Sequence, residues 1–212
     1  ADIEAGSTVL LERVTATGGG NNGLWYYNGL KLDHSNFTIA DSTFTAEAIA
    51  VRFIPDVVNS VVTFKHSTFS GDSGGTFPTY GVTFERVTTS TVDIYDCVVG
   101  TKASGKGVYF FSDPVESSDV HIQGLTWDGA NVPSAKVRAD SLTGTTRLWA
   151  SDCPSAFTIS TGAVAGTVTV TSCAPYATAT LYDCGGGTVA SVALPSTDYT
   201  VQNCVVTGAV SA

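Results

Sequence analysis

The 212 residues include no methionine, and ten lysines and arginines stand against nineteen aspartates and glutamates, a net charge of −9. So thin a supply of cations excludes nucleic acid as the expected partner, because Lys and Arg contacts to phosphate supply most of that affinity. Long apolar runs are missing too. None approaches the roughly 20 residues that a membrane-spanning helix needs. The first residues, ADIEAGSTVLL, carry no basic segment followed by an apolar one, so membrane insertion is not expected. Cysteines number five, an odd count, with no CxxC pair. Neither a disulfide framework nor a zinc site is indicated, and no metal or cofactor is implied. With Ala at position 1 and no Met anywhere, the chain is expected to be either a processed product or a piece of a longer protein.

What is present suits strands joined by turns. Twenty-two glycines among abundant Ser, Thr, Val and Ala favour an all-β fold, and the length suits a single domain over residues 1–212. A repeat runs through the chain: VLLERV (9–14), FTIADS (37–42), VTFKHS (62–67), VTFERV (82–87), VDIYDC (92–97), VHIQGL (120–125), LWASDC (148–153), VTVTSC (168–173), ATLYDC (179–184) and YTVQNC (199–204). Successive segments end 28, 25, 20, 10, 28, 28, 20, 11 and 20 residues apart. Intervals of 20 to 28 suit a complete solenoid coil of three short strands and three turns, and intervals of 10 or 11 suit two neighbouring faces of one coil. All five cysteines, Cys97, Cys153, Cys173, Cys184 and Cys204, close a repeat segment. They are expected to point inward and stack as reduced, hydrophobe-like thiols.

In repeat geometry, in richness of Thr, Ser, Val and Gly, and in its ladder positions, the stretch 7–206 resembles the pectate-lyase-like superfamily of right-handed parallel β-helices. Within that superfamily it is most similar to the tailspike and tail-fibre domains of bacteriophages. The resemblance implies a right-handed parallel β-helix, a homotrimer, and work on a virion or other extracellular surface. It carries no catalytic signature. Members of the superfamily include lyases, esterases, glycosidases, receptor-binding spikes and adhesins, so the chemistry has to be read from the outside of the solenoid.

On that outside, coils 28 residues apart place Asp93 and Tyr95, then His121 and Gln123, then Trp149 and Ser151 at equivalent positions. Sugar recognition uses aromatic faces flanked by hydrogen-bonding groups. Asp93, Tyr95, His121, Gln123 and Trp149 are therefore the expected carbohydrate contacts. A packing face between subunits of a trimer explains an outward Trp equally well. Another outward column, Thr38, Thr63, Thr83, Thr169, Thr180 and Thr200, reads as plain β-branched scaffold. The densest acidic stretch holds Asp93, Asp96, Asp113, Glu116, Asp119 and Asp128. It reads first as a solvated face, but two carboxylates about 5 to 10 Å apart would serve glycoside hydrolysis, and Asp113 and Glu116 are the candidate catalytic pair.

Three other motifs carry less. GDSGG at 71–75 matches the nucleophile loop of chymotrypsin-like proteases, yet too little chain precedes Ser73 for two barrels, and His34 and His66 lack the accompanying motif. It reads as a Gly-rich turn. The aromatic stretches GLWYYNGL (23–30) and KGVYFFSDPVE (106–116) read as core strands of a third face. The glycosylation sequon at Asn36 has a middle residue that starts an expected strand.

Two functions fit. The first is a structural and receptor-binding domain of a virion or cell-surface spike that presents a rigid surface to host glycans. The alternative is a polysaccharide-degrading glycoside hydrolase or lyase on the same scaffold. The regular repeat and the lack of a convergent catalytic set favour the first. For the second, an acidic chain without a metal or basic groove suits neutral polymers better than acidic ones.

Overall fold

The computed structural model describes residues 5–18, 22–26, 31–54, 56–71, 79–101, 105–110, 113–128, 135–151 and 159–171, with shorter pieces at 180–183, 188–189, 191–193, 200–202, 205–206 and 210–211. Every regular element among them is a strand, and every pairing is parallel between successive coils, which makes the fold the expected all-β parallel solenoid. No helix among the described residues is long and apolar enough to cross a membrane.

Face A is built from Thr8–Glu12, Asn36–Ala40, Val61–Lys65, Thr91–Tyr95 and Asp119–Gln123, followed by residues 147–151 of the long strand Ala135–Ser151, onto which residues 169–171 pair in turn. Alternation decides which way its side chains face. Phe37 and Ile39, Val62 and Phe64, Val92 and Ile94, and Val120 and Ile122 are buried, and the residues between them look outward. Face B is shorter: Thr15–Thr17, Thr43–Thr45, Thr68–Ser70, Val98–Gly100 and Thr126–Trp127. Face C contains Asn22–Tyr26, Ile49–Phe53, Tyr80–Phe84, Lys106–Phe110 and residues 135–139. Two-residue strands, among them Val87–Thr88 and Val115–Glu116, connect face C back to face A.

Register gives the coil lengths. Thr8 pairs with Asn36, Asn36 with Val61, Val61 with Thr91, Thr91 with Asp119 and Asp119 with Arg147, so successive coils take 28, 25, 30, 28 and 28 residues. The sequence intervals of 20 and 10 around Val87 are thus one coil of 30. Val87 belongs to a short strand partway round, and the segment VTFERV matched the repeat only because Val82 and Phe84 alternate inward on face C as well. Beyond residue 151 the coil shortens, with Arg147 paired to Thr169, 22 residues on.

Each face A strand is bracketed by two left-handed corners. His34, Asn59, Thr89 and Ser117 precede the strands, and Arg13, Asp41, His66 and Asp96 follow them, all at φ between 47° and 54°. Such a conformation costs a non-glycine residue roughly 1–2 kcal/mol, so something must hold it. The residue after each corner points inward and bonds the coil to its neighbour. Ser60 Oγ accepts from Ser35 N at 3.0 Å and donates to Val58 O at 2.7 Å; Ser90 Oγ accepts from Ser60 N and Ser118 Oγ from Ser90 N, both at 3.1 Å. On the other side Ser42 and Ser67 do the same, and Cys97 takes over the position with its thiol directed at Tyr95 O. Between the corners lies an apolar core in which Phe53, Phe84 and Phe110 of face C stack with ring centroids 5.0 and 5.2 Å apart. Burying each ring stabilises the coil by about 1.5–3 kcal/mol.

Cys97 is the one cysteine among the described residues. It is fully buried and unpaired, and burial pushes its thiol up to about 12. Cys153, Cys173, Cys184 and Cys204 lie outside the described residues, as does most of the GDSGG turn.

Candidate functional site

Face A's parallel register makes one outward column from residues far apart in sequence: Leu10, Thr38, Thr63, Asp93 and His121 occupy successive rungs, and the backbone of Trp149 is in register on the next. The next column in register runs Glu12, Ala40, Lys65, Tyr95 and Gln123, with Ala40 buried and the backbone of Ser151 on the following rung. All five expected carbohydrate contacts therefore stand on three consecutive rungs, each about 4.8 Å from the next.

Three of the five are brought together. Tyr95 Oη lies 3.2 Å from His121 Nδ1, and the two rings meet edge to face with centroids 5.2 Å apart. Asp93 Oδ1 approaches the same Nδ1 at 3.8 Å. Both Asp93 and His121 are about one-fifth exposed. Burial holds the imidazole below its ordinary range, opposed by the Asp93 charge. Burial also pushes the Tyr95 phenol up, helped by the charge of Asp93 and a hydrogen bond to it. At neutral pH the group is a carboxylate, a neutral imidazole and a phenol. These are acceptors and donors beside two ring faces, which match sugar hydroxyls and the apolar edge of a sugar ring. Gln123 is half-buried in register with Tyr95, and the backbone of Trp149 pairs with that of His121. At the border of the strip Arg147 grips Asp119 through two bonds of 2.7 and 2.5 Å, which holds the Asp119 carboxyl below its usual range.

The acidic stretch does not gather on one face. Asp93 and Asp119 belong to face A, Asp96 to a corner, Asp128 to the end of face B, and Asp113 and Glu116 to the return from face C. Asp113 is engaged by Arg86, whose other nitrogen holds Asp56 one coil below, both at 3.3 Å. Glu116 is exposed, in register between Thr88 and Thr143. Among the described residues no group of three or more His, Cys, Asp or Glu is placed to hold a metal.

The expected threonine scaffold column is not one column. Thr38 and Thr63 lie on the rungs below Asp93, within the strip itself; Thr83 lies on face C and is buried; Thr169 pairs with Arg147. Aligning by pattern alone merged face A with face C. The stretches 23–26 and 106–110 are strands of face C as expected, with Val108 and Phe110 buried, but Tyr109 between them stands among charged side chains. That cluster was missed. Tyr109 lies between two inward apolar residues and turns toward Asp140 and Tyr80, although it is only 7% exposed.

No protein family, curated protein or solved structure matches this chain.

Proposed function

We propose that this chain is a structural and receptor-binding domain of a spike on a virion or cell surface, working as a homotrimer and presenting face A to host glycans. The observation that carries the reading is the Asp93, Tyr95 and His121 network. It spans two adjacent outward columns, with Asp93 and His121 on the rungs above Thr38 and Thr63 and Tyr95 above Lys65, shields Asp93 and His121 largely from water, and lies beside the position of Trp149. A scaffold surface would be served by the Thr38 and Thr63 chemistry of the rungs below. The polysaccharide-degrading alternative is less well supported, because the ion pair to Arg86 gives Asp113 a structural task.

The test is binding of isolated surface polysaccharide by calorimetry, with oligomeric state followed by light scattering. His121→Ala and Trp149→Ala are expected to weaken binding by about 1–3 kcal/mol each with the oligomer intact, as loss of an anchoring contact does. Unchanged affinity in both variants would overturn the reading. Dissociation of the oligomer by Trp149→Ala would make this strip a packing face instead.

A further inference from the structure

Face C carries a second polar cluster whose chemistry differs from that of face A. In its strands the second residue is small and buried together with the third: Ala50 and Val51, Gly81 and Val82, Gly107 and Val108. At Gly81 a Cβ would meet Gly107 O at 2.7 Å and Val99 Cγ1 at 3.0 Å, so only glycine fits there. Two consecutive inward residues break the alternation and leave the first and fourth positions on the outside, as a bulge does. Tyr80 and Thr83 on one coil then adjoin Lys106 and Tyr109 on the next. The two tyrosine rings lie 5.1 Å apart, and the Lys106 ammonium rests 5.3 Å from one and 4.7 Å from the other.

Charge on this face runs against the rest of the chain. Arg52, Lys106 and Arg138 meet Glu85 and Asp140, three cations to two carboxylates in a protein of net charge −9. Both carboxylates already have fixed donors. Glu85 accepts from Arg52 at 2.9 Å; Asp140 accepts from Arg138 Nε at 2.8 Å and from Tyr109 Oη at 2.6 Å. Lys106 has no salt bridge among the described residues, and burial, reinforced by the charge of Arg138, holds its ammonium below the ordinary range. Thr83, in register between Arg52 and Tyr109, is 5% exposed, and its hydroxyl has no partner among the described residues. A buried hydroxyl left unbonded costs about 1–3 kcal/mol. The hydroxyl is sealed from solvent as the face stands, so an arriving oxygen that displaced the side chains over it would remove that cost.

We propose that this part of face C binds a carboxylate-bearing sugar, with Lys106 meeting the carboxylate and Thr83 and Tyr80 meeting ring hydroxyls. An anion is the one ligand that both balances the surplus cation and relieves the desolvated ammonium. The site lies on a different face from the Asp93, Tyr95 and His121 network and does not depend on it.

The probes are a glucuronate oligosaccharide and the same oligosaccharide after carboxyl reduction, titrated calorimetrically into the intact chain. The acidic form is expected to bind at least about tenfold more tightly than the reduced form, with affinity falling as salt rises. Lys106→Met should lower acidic-form affinity about tenfold, the loss expected for one charged hydrogen bond. Thr83→Val removes only the unbonded hydroxyl, so it should weaken binding while keeping or raising the melting temperature; it serves as the test if Lys106→Met does not fold. Arg13→Gln, which removes an exposed cation at the first corner, should leave this affinity unchanged. Equal binding of the two oligosaccharides, no binding of the acidic form, or wild-type affinity in both Lys106→Met and Thr83→Val would overturn the proposal.

Discussion

Inside the solenoid Ser35, Ser60, Ser90 and Ser118 repeat one residue type coil after coil, each hydroxyl tied to a backbone carbonyl two residues before it. Outside, on the same coils, the column runs Thr38, Thr63, Asp93 and His121, so its repetition stops above Thr63. The two columns are built by the same register and obey different constraints. An inward polar atom has one geometry in which it can be satisfied, so each coil needs the same small donor and acceptor. Outward groups can bond to water, and the fold is indifferent to their identity. Variation outside is therefore uninformative by itself. It becomes informative where the varied side chains are also organised and shielded, as around His121.

A buried charge should separate the two columns most sharply. Cys97 is 0% exposed and closes the inward corner column above Ser67. Cys97→Asp would leave a carboxylate there with no cation to meet it, at a cost of at least about 3 kcal/mol. Asp93→Asn, on the outward column of the same coil, should change stability by less than about 0.5 kcal/mol. Urea unfolding of the two variants measures the difference, and equal losses would show that the inward and outward registers are interchanged.

Removing a single inward hydroxyl tests the repetition itself. Ser90→Ala leaves the Ser60 N–H without its acceptor and frees the carbonyl of Thr88. The expected loss is about 1–3 kcal/mol, the penalty of an unsatisfied buried group. Thr63→Ala, outward and half-buried, should lose less than about 0.5 kcal/mol. A Ser90→Ala variant as stable as Thr63→Ala would mean that buried water replaces the hydroxyl and that the ladder contributes little.

The difference between the columns also explains what could be read in advance. Alternation of Val92 and Ile94, or Val120 and Ile122, around outward residues is a local pattern, and the 28-residue spacing carried it from Asp93 to His121 and Trp149. Of the inward corner columns only Ser42, Ser67 and Cys97 were visible, as closing residues of the repeat, whereas Ser35, Ser60, Ser90 and Ser118 precede it and their partners are backbone groups one coil away. Face C was less legible still. The doubled inward step at Gly81 and Gly107 breaks the period of two, so that KGVYF looked like core throughout while Tyr109 and Lys106 were turned outward. Nor does any local pattern announce that Arg86 joins Asp56 to Asp113; that pairing exists only once the coils are stacked.

The smallest expected effect is a pH dependence, and it asks whether the outer network is organised at all. If burial dominates, the imidazole of His121 holds its proton less tightly in the folded chain than at its ordinary value of 6.5. The unfolded chain then takes up the proton first as pH falls. The contribution to stability is present above about 6.5 and is lost as pH falls through the lowered folded value. The informative quantity is the difference between wild type and His121→Gln, in which the titration of every other group cancels. Melting temperatures compared from about pH 7.5 to about pH 5 should fall slightly more in the wild type, and glycan affinity should fall in parallel because the protonated ring carries a donor at both nitrogens and no acceptor. The opposite sign, a wild type that gains on the variant as pH falls, would mean that the Asp93 charge outweighs burial. His121 would then be one more solvated partner of a carboxylate, like His66 between Asp41 and Asp96 at the corner below, and the varied column would have no claim to function over the repeated one.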